Sequence, residues 1–184
     1  MAVSQADVLM YPHSIPQKAE IRMRFAFALA LAGLIGADVC ARDQFNSAAA
    51  GCVPGDPALH FTRYQITEGA IKHRSSATGR ITLYCNIPMA IAPPTMLELV
   101  YSDNDPGVDT FVSASYIKMR KANGTIATIA TVNSNRGTQD GAVRFVDTKF
   151  SDAYDLKRYL YYVRVDLDRK ATSAAAVFYG VTVY

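Results

Sequence analysis

From residue 58 to its end, the chain alternates apolar and polar positions with a period of two, broken by short turn-forming clusters. The alternation is clearest over Arg158–Arg169. Tyr161, Val163, Val165 and Leu167 fall on one side there, and Tyr162, Arg164, Asp166 and Asp168 on the other. Successive strand side chains point to opposite faces, so the segment predicts a strand with one face in a core and one in solvent. Ile81–Ile87 repeats the pattern, with Ile81, Leu83 and Cys85 opposing Thr82, Tyr84 and Asn86. Thr110–Lys121 sets Phe111, Ser113, Ser115 and Ile117 against Val112, Ala114, Tyr116 and Lys118. In Ala174–Tyr184 the expected apolar face is Ala175, Val177, Tyr179, Val181 and Val183. The last residue still follows that pattern, which predicts a strand docked in a sheet.

Shorter runs fill the intervals. Ala58–Arg74 reads as a strand broken or bulged at Glu68-Gly69; Met96–Tyr101, Thr125–Val132 and Ala142–Phe150 follow, with Val143, Phe145 and Asp147 sharing a face in the last. Turn signals separate them: Ser75–Gly79, Pro88, Pro93-Pro94, and the polar loops Ser102–Asp109 and Asn133–Gly141. Asn123-Gly124 predicts a type I′ hairpin, because both residue types tolerate positive φ. No convincing amphipathic helix and no internal repeat interrupt the series. About eight strands separated by Gly, Pro and Asn turns predict an all-β fold, a two-layer antiparallel β-sandwich of jelly-roll-like order. An immunoglobulin-like sandwich would bring an internal Cys…Trp…Cys core, and the chain has no Trp.

The N-terminal part reads differently. Phe25 to Ile35 carries no charge, Lys18, Arg22 and Arg24 precede it, and Val39 and Ala41 supply small residues after it. This is the layout of a secretory signal helix cleaved after Ala41. The apolar run is too short to cross a bilayer, which needs about 20 residues. Lipidation at Cys40 would call for a smaller residue than Val39 before it. Residues 1–22, with Pro12 and Pro16, are long for a basic flank, and Met23 would open a compact signal by itself. The expected organisation is a signal peptide over 1–41 with a spurious extension over 1–22, a flexible lead-in over 42–57 and a β-sandwich over 58–184. The protein is then secreted or periplasmic, with no membrane span in the mature chain.

Cleavage would change the cysteine count. Of three cysteines, Cys40 leaves with the leader, and Cys52 and Cys85 remain to form one disulfide in an oxidising compartment. Net charge is +3 and is spread along the chain, without the basic block that marks a nucleic-acid arm.

Candidate chemistry is sparse. Asp103, Asp105 and Asp109 alternate oxygen ligands around Pro106-Gly107 and make a weak calcium loop, although the twelfth position from Asp103 is Ala114, not an acidic residue. A solvated hairpin loop would hold the same residues. His60 and His73 are the histidines of the predicted domain; no Gly-x-Ser-x-Gly elbow accompanies them, and no phosphate loop or dinucleotide fingerprint appears. No cofactor other than that calcium is implied. The polar side of the clearest strand, Tyr162, Arg164, Asp166 and Asp168, is the candidate ligand face. Tyr84, Tyr101, Tyr116, Tyr154, Tyr159 and Tyr162 would form a sugar-stacking platform if several meet on one surface. The expected role is a secreted non-catalytic domain that binds a ligand or protein partner, with carbohydrate or a surface protein as candidates. A structural or assembly subunit of the cell surface is the main alternative, and a small secreted hydrolase a further one.

Overall fold

A computed structural model describes residues 45–88 and 92–184. The signal segment, the Met23 start, Cys40 and the cleavage position lie outside the described residues. The elements are β1 (Phe45–Ala48), β2 (Val53–Pro54), a four-residue helix α1 (Pro57–His60), β3 (Tyr64–Thr67), β4 (Ala70–His73), β5 (Gly79–Asn86), β6 (Met96–Asp103), β7 (Thr110–Arg120), β8 (Ile126–Asn133), β9 (Val143–Lys149), β10 (Tyr159–Arg169) and β11 (Ala176–Val183).

They form two antiparallel sheets. One runs β3-β4-β11-β6-β9, with β1 also paired to β11; the other runs β2-β5-β10-β7-β8. The eight principal strands, β4 to β11, therefore sit as β4-β11-β6-β9 facing β5-β10-β7-β8, which is the order of a jelly roll. The expected sandwich is present. Its core lies where the inward faces meet: Ile81, Leu83, Val112, Ala114, Val163, Val165 and Leu167 from one sheet, and Leu97, Leu99, Tyr101, Phe178, Val181 and Val183 from the other. Each such fully buried aliphatic side chain contributes about 1.5–3 kcal/mol relative to an exposed one.

Four local readings change. Phe45–Ala48, part of the expected lead-in, is a strand paired with β11. It can approach because residue 180 is Gly: a Cβ there would lie 3.0 Å from the Ser47 carbonyl oxygen. The start of the expected first strand is instead helix α1, capped by the Asp56 side chain, which accepts from the Leu59 amide at 3.0 Å. The type I′ geometry sits at Glu68-Gly69, both with positive φ, joining β3 to β4. At Asn123-Gly124 only Gly124 is left-handed (φ 69°), within a four-residue loop in which the Gly124 amide donates to the Arg120 carbonyl. Finally, β11 carries a bulge between Phe178 and Gly180. The extra residue switches the inward set, so Ala176 and Phe178 are buried before it and Val181 and Val183 after it, in place of an unbroken odd-numbered face.

The Cys52–Cys85 disulfide forms, tying the segment before β2 to the inward side of β5. Among the described residues, no helix is long and apolar enough to cross a membrane.

Candidate functional site

The outward face of the β2-β5-β10-β7-β8 sheet sets a row of polar side chains beside two tyrosines, and strand register decides which groups meet. On β10, Tyr162 lies between Asn86 and Ile117, Arg164 between Tyr84 and Ser115, Asp166 between Thr82 and Ser113, and Asp168 between Arg80 and Phe111. The four residues predicted from the alternation of β10 therefore run down the middle of the sheet. Their inward neighbours Val163, Val165 and Leu167 are fully buried beneath them.

Two tyrosines meet on this face. The rings of Tyr84 and Tyr162 are 5.7 Å apart, edge to face at 69°. Opposed ring edges and faces attract through their quadrupoles, so the pair holds itself in place. Tyr84 is 39% exposed. Gly55 lets the backbone lie against this ring: a Cβ there would come within 2.8 Å of Tyr84 Cε2. The Gly55 amide is fixed by donation to the Thr82 carbonyl at 2.8 Å. Burial, with the neighbouring Tyr84 ring, raises the Tyr162 phenol above its ordinary value against the opposing pull of Arg164. The phenol is thus a neutral donor at physiological pH.

A polar ladder continues from the tyrosines. Thr82 Oγ1 donates to Asp166 Oδ1 at 2.7 Å. Asp166 Oδ2 lies 3.2 Å from Arg164 Nε, but out of line for a hydrogen bond, so that Nε is buried without an accepting partner. Arg80 donates through Nε and Nη2 to Asp168 Oδ2 at 3.0 and 2.8 Å. Ser115 and Thr131 share a hydroxyl–hydroxyl contact of 3.0 Å. Two arginines and two aspartates thus alternate without net charge, offering donors and acceptors together.

The remaining tyrosines do not join this platform. Tyr101 and Tyr116 belong to the core. Tyr154, Tyr159 and Tyr161 cluster at the end of the sandwich, with Tyr154 and Tyr161 rings 4.7 Å apart and Tyr116 and Tyr161 rings 5.8 Å apart. This cluster lines a cavity of about 140 Å³ with Phe45, Ile87 and Leu160. Lys118 lies over the Tyr159 ring and pairs with Asp152.

The acidic loop is not gathered around an ion site. Asp103 is the last inward position of β6 and is fully buried, instead of standing in a solvated loop. Burial raises its carboxyl above the ordinary range, against the hydrogen bond from Ser134. Its oxygens accept from Ser134 Oγ at 2.6 Å and from the Asp105 amide at 3.0 Å. Asp105 accepts from the Gly107 amide at 3.0 Å, and Asp109 pairs with Lys170. Three carboxylates with three different tasks leave no shared centre. Among the described residues, no three His, Cys, Asp or Glu side chains converge as metal ligands.

The histidines are also apart. His60 Nε2 accepts from the Thr82 amide at 3.3 Å, and His73 Nε2 lies 2.7 Å from the Gly79 carbonyl. Both rings are buried with Nδ1 unpartnered, and among the described residues neither bonds to a hydroxyl, thiol or carboxylate. The arrangement does not supply a nucleophile–base pair of the kind acyl transfer needs.

Sequence reasoning found the middle strand of the face from its own alternation. It did not identify Arg80, Thr82, Gly55, Ser115 or Thr131 as its neighbours, and the only local signal was that Thr82 and Tyr84 share the polar side of β5.

No family model matches the sequence, and no curated protein matches it. Among solved structures, a xylan-binding module (CBM15) aligns with 78% of this chain and 90% of its own length, at 11% identity and a TM-score of 0.39. A carbohydrate-binding module of family 29 aligns with 77% of each chain, at 12% identity and a TM-score of 0.28. Both are distant, and the reading of the site rests on this chain's own residues.

Proposed function

We propose that this is an exported, non-catalytic binding domain that takes a carbohydrate chain on the outer face of the β2-β5-β10-β7-β8 sheet. The observation that carries the reading is the Tyr84–Tyr162 pair beside the Arg164–Asp166–Thr82 ladder. A sugar ring has apolar C–H faces and a hydroxyl rim. An aromatic surface bordered by paired donors and acceptors suits both, and the rim hydroxyls replace the water they leave. The Arg164 side chain, 42% exposed, offers such a hydroxyl a charged donor at the solvent side of its guanidinium. Because the groups stand on paired strands, little ordering entropy is lost on binding. The Cys52–Cys85 bridge agrees with an oxidising compartment outside the cytoplasm.

The test is titration of the purified protein with neutral polysaccharides such as xylan, mannan and cellulose oligomers. Tyr84→Ala and Tyr162→Ala should each weaken binding by roughly tenfold, the effect of losing about 1–2 kcal/mol of ring contact. Wild-type binding that both variants retain in full would reject this face.

A second reading, an assembly subunit, is favoured by the edge strand β9, which leaves Val143 57% and Phe145 71% exposed. Light scattering after size exclusion decides it: a monomer over a wide concentration range rejects assembly.

A further inference from the structure

The end of the sandwich beside the tyrosine pair carries a second feature. Arg120, Lys121, Lys157 and Arg158 surround a surface depression of about 440 Å³. All four are exposed. Their convergence is not written in the sequence, since Arg120 and Lys121 stand at the β7–β8 hairpin and Lys157 and Arg158 in the connection that crosses from β9 to β10 in the other sheet. Backbone hydrogen bonding joins them: the Lys121 amide donates to the Arg158 carbonyl at 2.9 Å, and Lys121 Nζ donates to the Leu156 carbonyl at 2.7 Å. Arg120 and Tyr159 are paired residues of β7 and β10.

Their charge is poorly compensated. Asp155 takes up Arg158 through its side chain and also accepts from the Lys157 and Arg158 amides. Asp152 is engaged by Lys118. Among the described residues, Arg120, Lys121 and Lys157 have no carboxylate partner at ion-pair distance. Like charges held around one hollow raise its potential and attract an anion. This contrasts with the ladder on the sheet face, where each arginine lies beside an aspartate.

We propose that this depression is an anion subsite for the carboxylate or sulfate groups of an acidic polysaccharide, continuous with the tyrosine pair. The inference rests on the carbohydrate reading of the sheet face and adds the charge of the ligand. Continuity is the reason for choosing a glycan. Tyr162 lies three residues along β10 from Tyr159, about 10 Å at the rise of a strand. Leu160 stands between them, on the same outward side as Tyr162 and 48% exposed. One extended chain can rest a ring on the tyrosines, cross Leu160 and place its acidic group among the four cations. A flat anionic bilayer would meet a hollow instead of a protruding face, so it is the less suited partner.

The purified protein is titrated with polygalacturonate, dextran sulfate, neutral dextran, neutral xylan, phosphatidylglycerol vesicles and duplex DNA. Polygalacturonate and dextran sulfate distinguish carboxylate from sulfate as the group recognised. At low salt the wild type should bind at least one charged glycan roughly tenfold or more tightly than either neutral chain, and added salt should erode the difference. The variant Arg120→Gln/Lys121→Gln/Lys157→Gln/Arg158→Gln should lose that advantage while keeping its affinity for neutral xylan; the latter also shows that it is folded. Equal binding of charged and neutral chains, or an unchanged advantage in the folded variant, overturns the proposal. Vesicles or DNA bound as tightly as the charged glycans overturn it as well. If neutral xylan binds through the tyrosines and charge adds nothing, only the subsite fails. If charged chains bind through the four cations and Tyr84→Ala/Tyr162→Ala changes nothing, the subsite stands and the sheet-face reading fails.

Discussion

Ser134 Oγ donates to Asp103 Oδ2 at 2.6 Å with both residues fully buried, and so bolts one sheet to the other. Asp103 ends β6, whereas Ser134 follows β8 in the opposite sheet and also accepts from the Val112 amide at 3.0 Å. Removing the hydroxyl strands a buried carboxyl and a buried amide together. Ser134→Ala should therefore lower stability by about 1–3 kcal/mol, read as a shift in the denaturant midpoint at constant m. A loss within error would show that the bolt is not needed.

The same carboxyl has a pH signature. Burial lifts Asp103 above its ordinary 3.8 in the folded state, so the native protein holds its proton more tightly than the unfolded chain. Its contribution is largest below 3.8 and is lost as pH rises through the folded value. Asp103→Asn should flatten the stability–pH curve in that acidic window, measured by urea unfolding.

His73 works in the opposite sense. Burial lowers its pKa below 6.5; the Gly79 carbonyl and Asp168 oppose the shift, and Arg169 and Arg63 reinforce it. The unfolded chain then binds more protons below pH 6.5, so the contribution is complete above 6.5 and declines as pH falls toward the folded value. Unfolding midpoints should drop on acidification through that range, and His73→Gln should show a shallower decline. Parallel curves for the two proteins would assign the acid sensitivity elsewhere.

The Cys52–Cys85 bridge closes a loop with a sequence separation of 33. Chain entropy for such a loop corresponds to about 3–4 kcal/mol. Cys52→Ala/Cys85→Ala should lose about that much. Reductant should reproduce the loss in the wild type and leave the variant unaffected.

Arg164 stands in the outward row with its inward neighbours already packed, so Arg164→Leu should change the thermal midpoint by only a few degrees. If the sheet face binds sugar, glycan affinity should fall by roughly ten- to a hundredfold, the effect of losing a charged hydrogen bond of about 1.5–3 kcal/mol. Calorimetric titration beside a melting curve separates the two effects.

What the sequence determined by itself is what repeats locally. Period-two alternation is written residue by residue, because each strand side chain points opposite to its neighbour. It was enough for the sandwich, for the inward and outward sides of β5, β7 and β10, and for Tyr162, Arg164, Asp166 and Asp168 as one row. The cysteine pair was legible through counting. Tertiary structure alone decided what depends on register and strand order. The bulge in β11 changed sides in the middle of an apolar run that the sequence presents as one odd-numbered face. Asp103 looked like part of a solvated loop because its partner Ser134 comes from the turn that follows β8, a strand of the other sheet. Tyr84 meets Tyr162, and Lys121 meets Arg158, only because β5 and β7 flank β10 in this particular alignment. Such contacts are fixed by the joint packing of two sheets around one core, a condition that no short window of sequence contains.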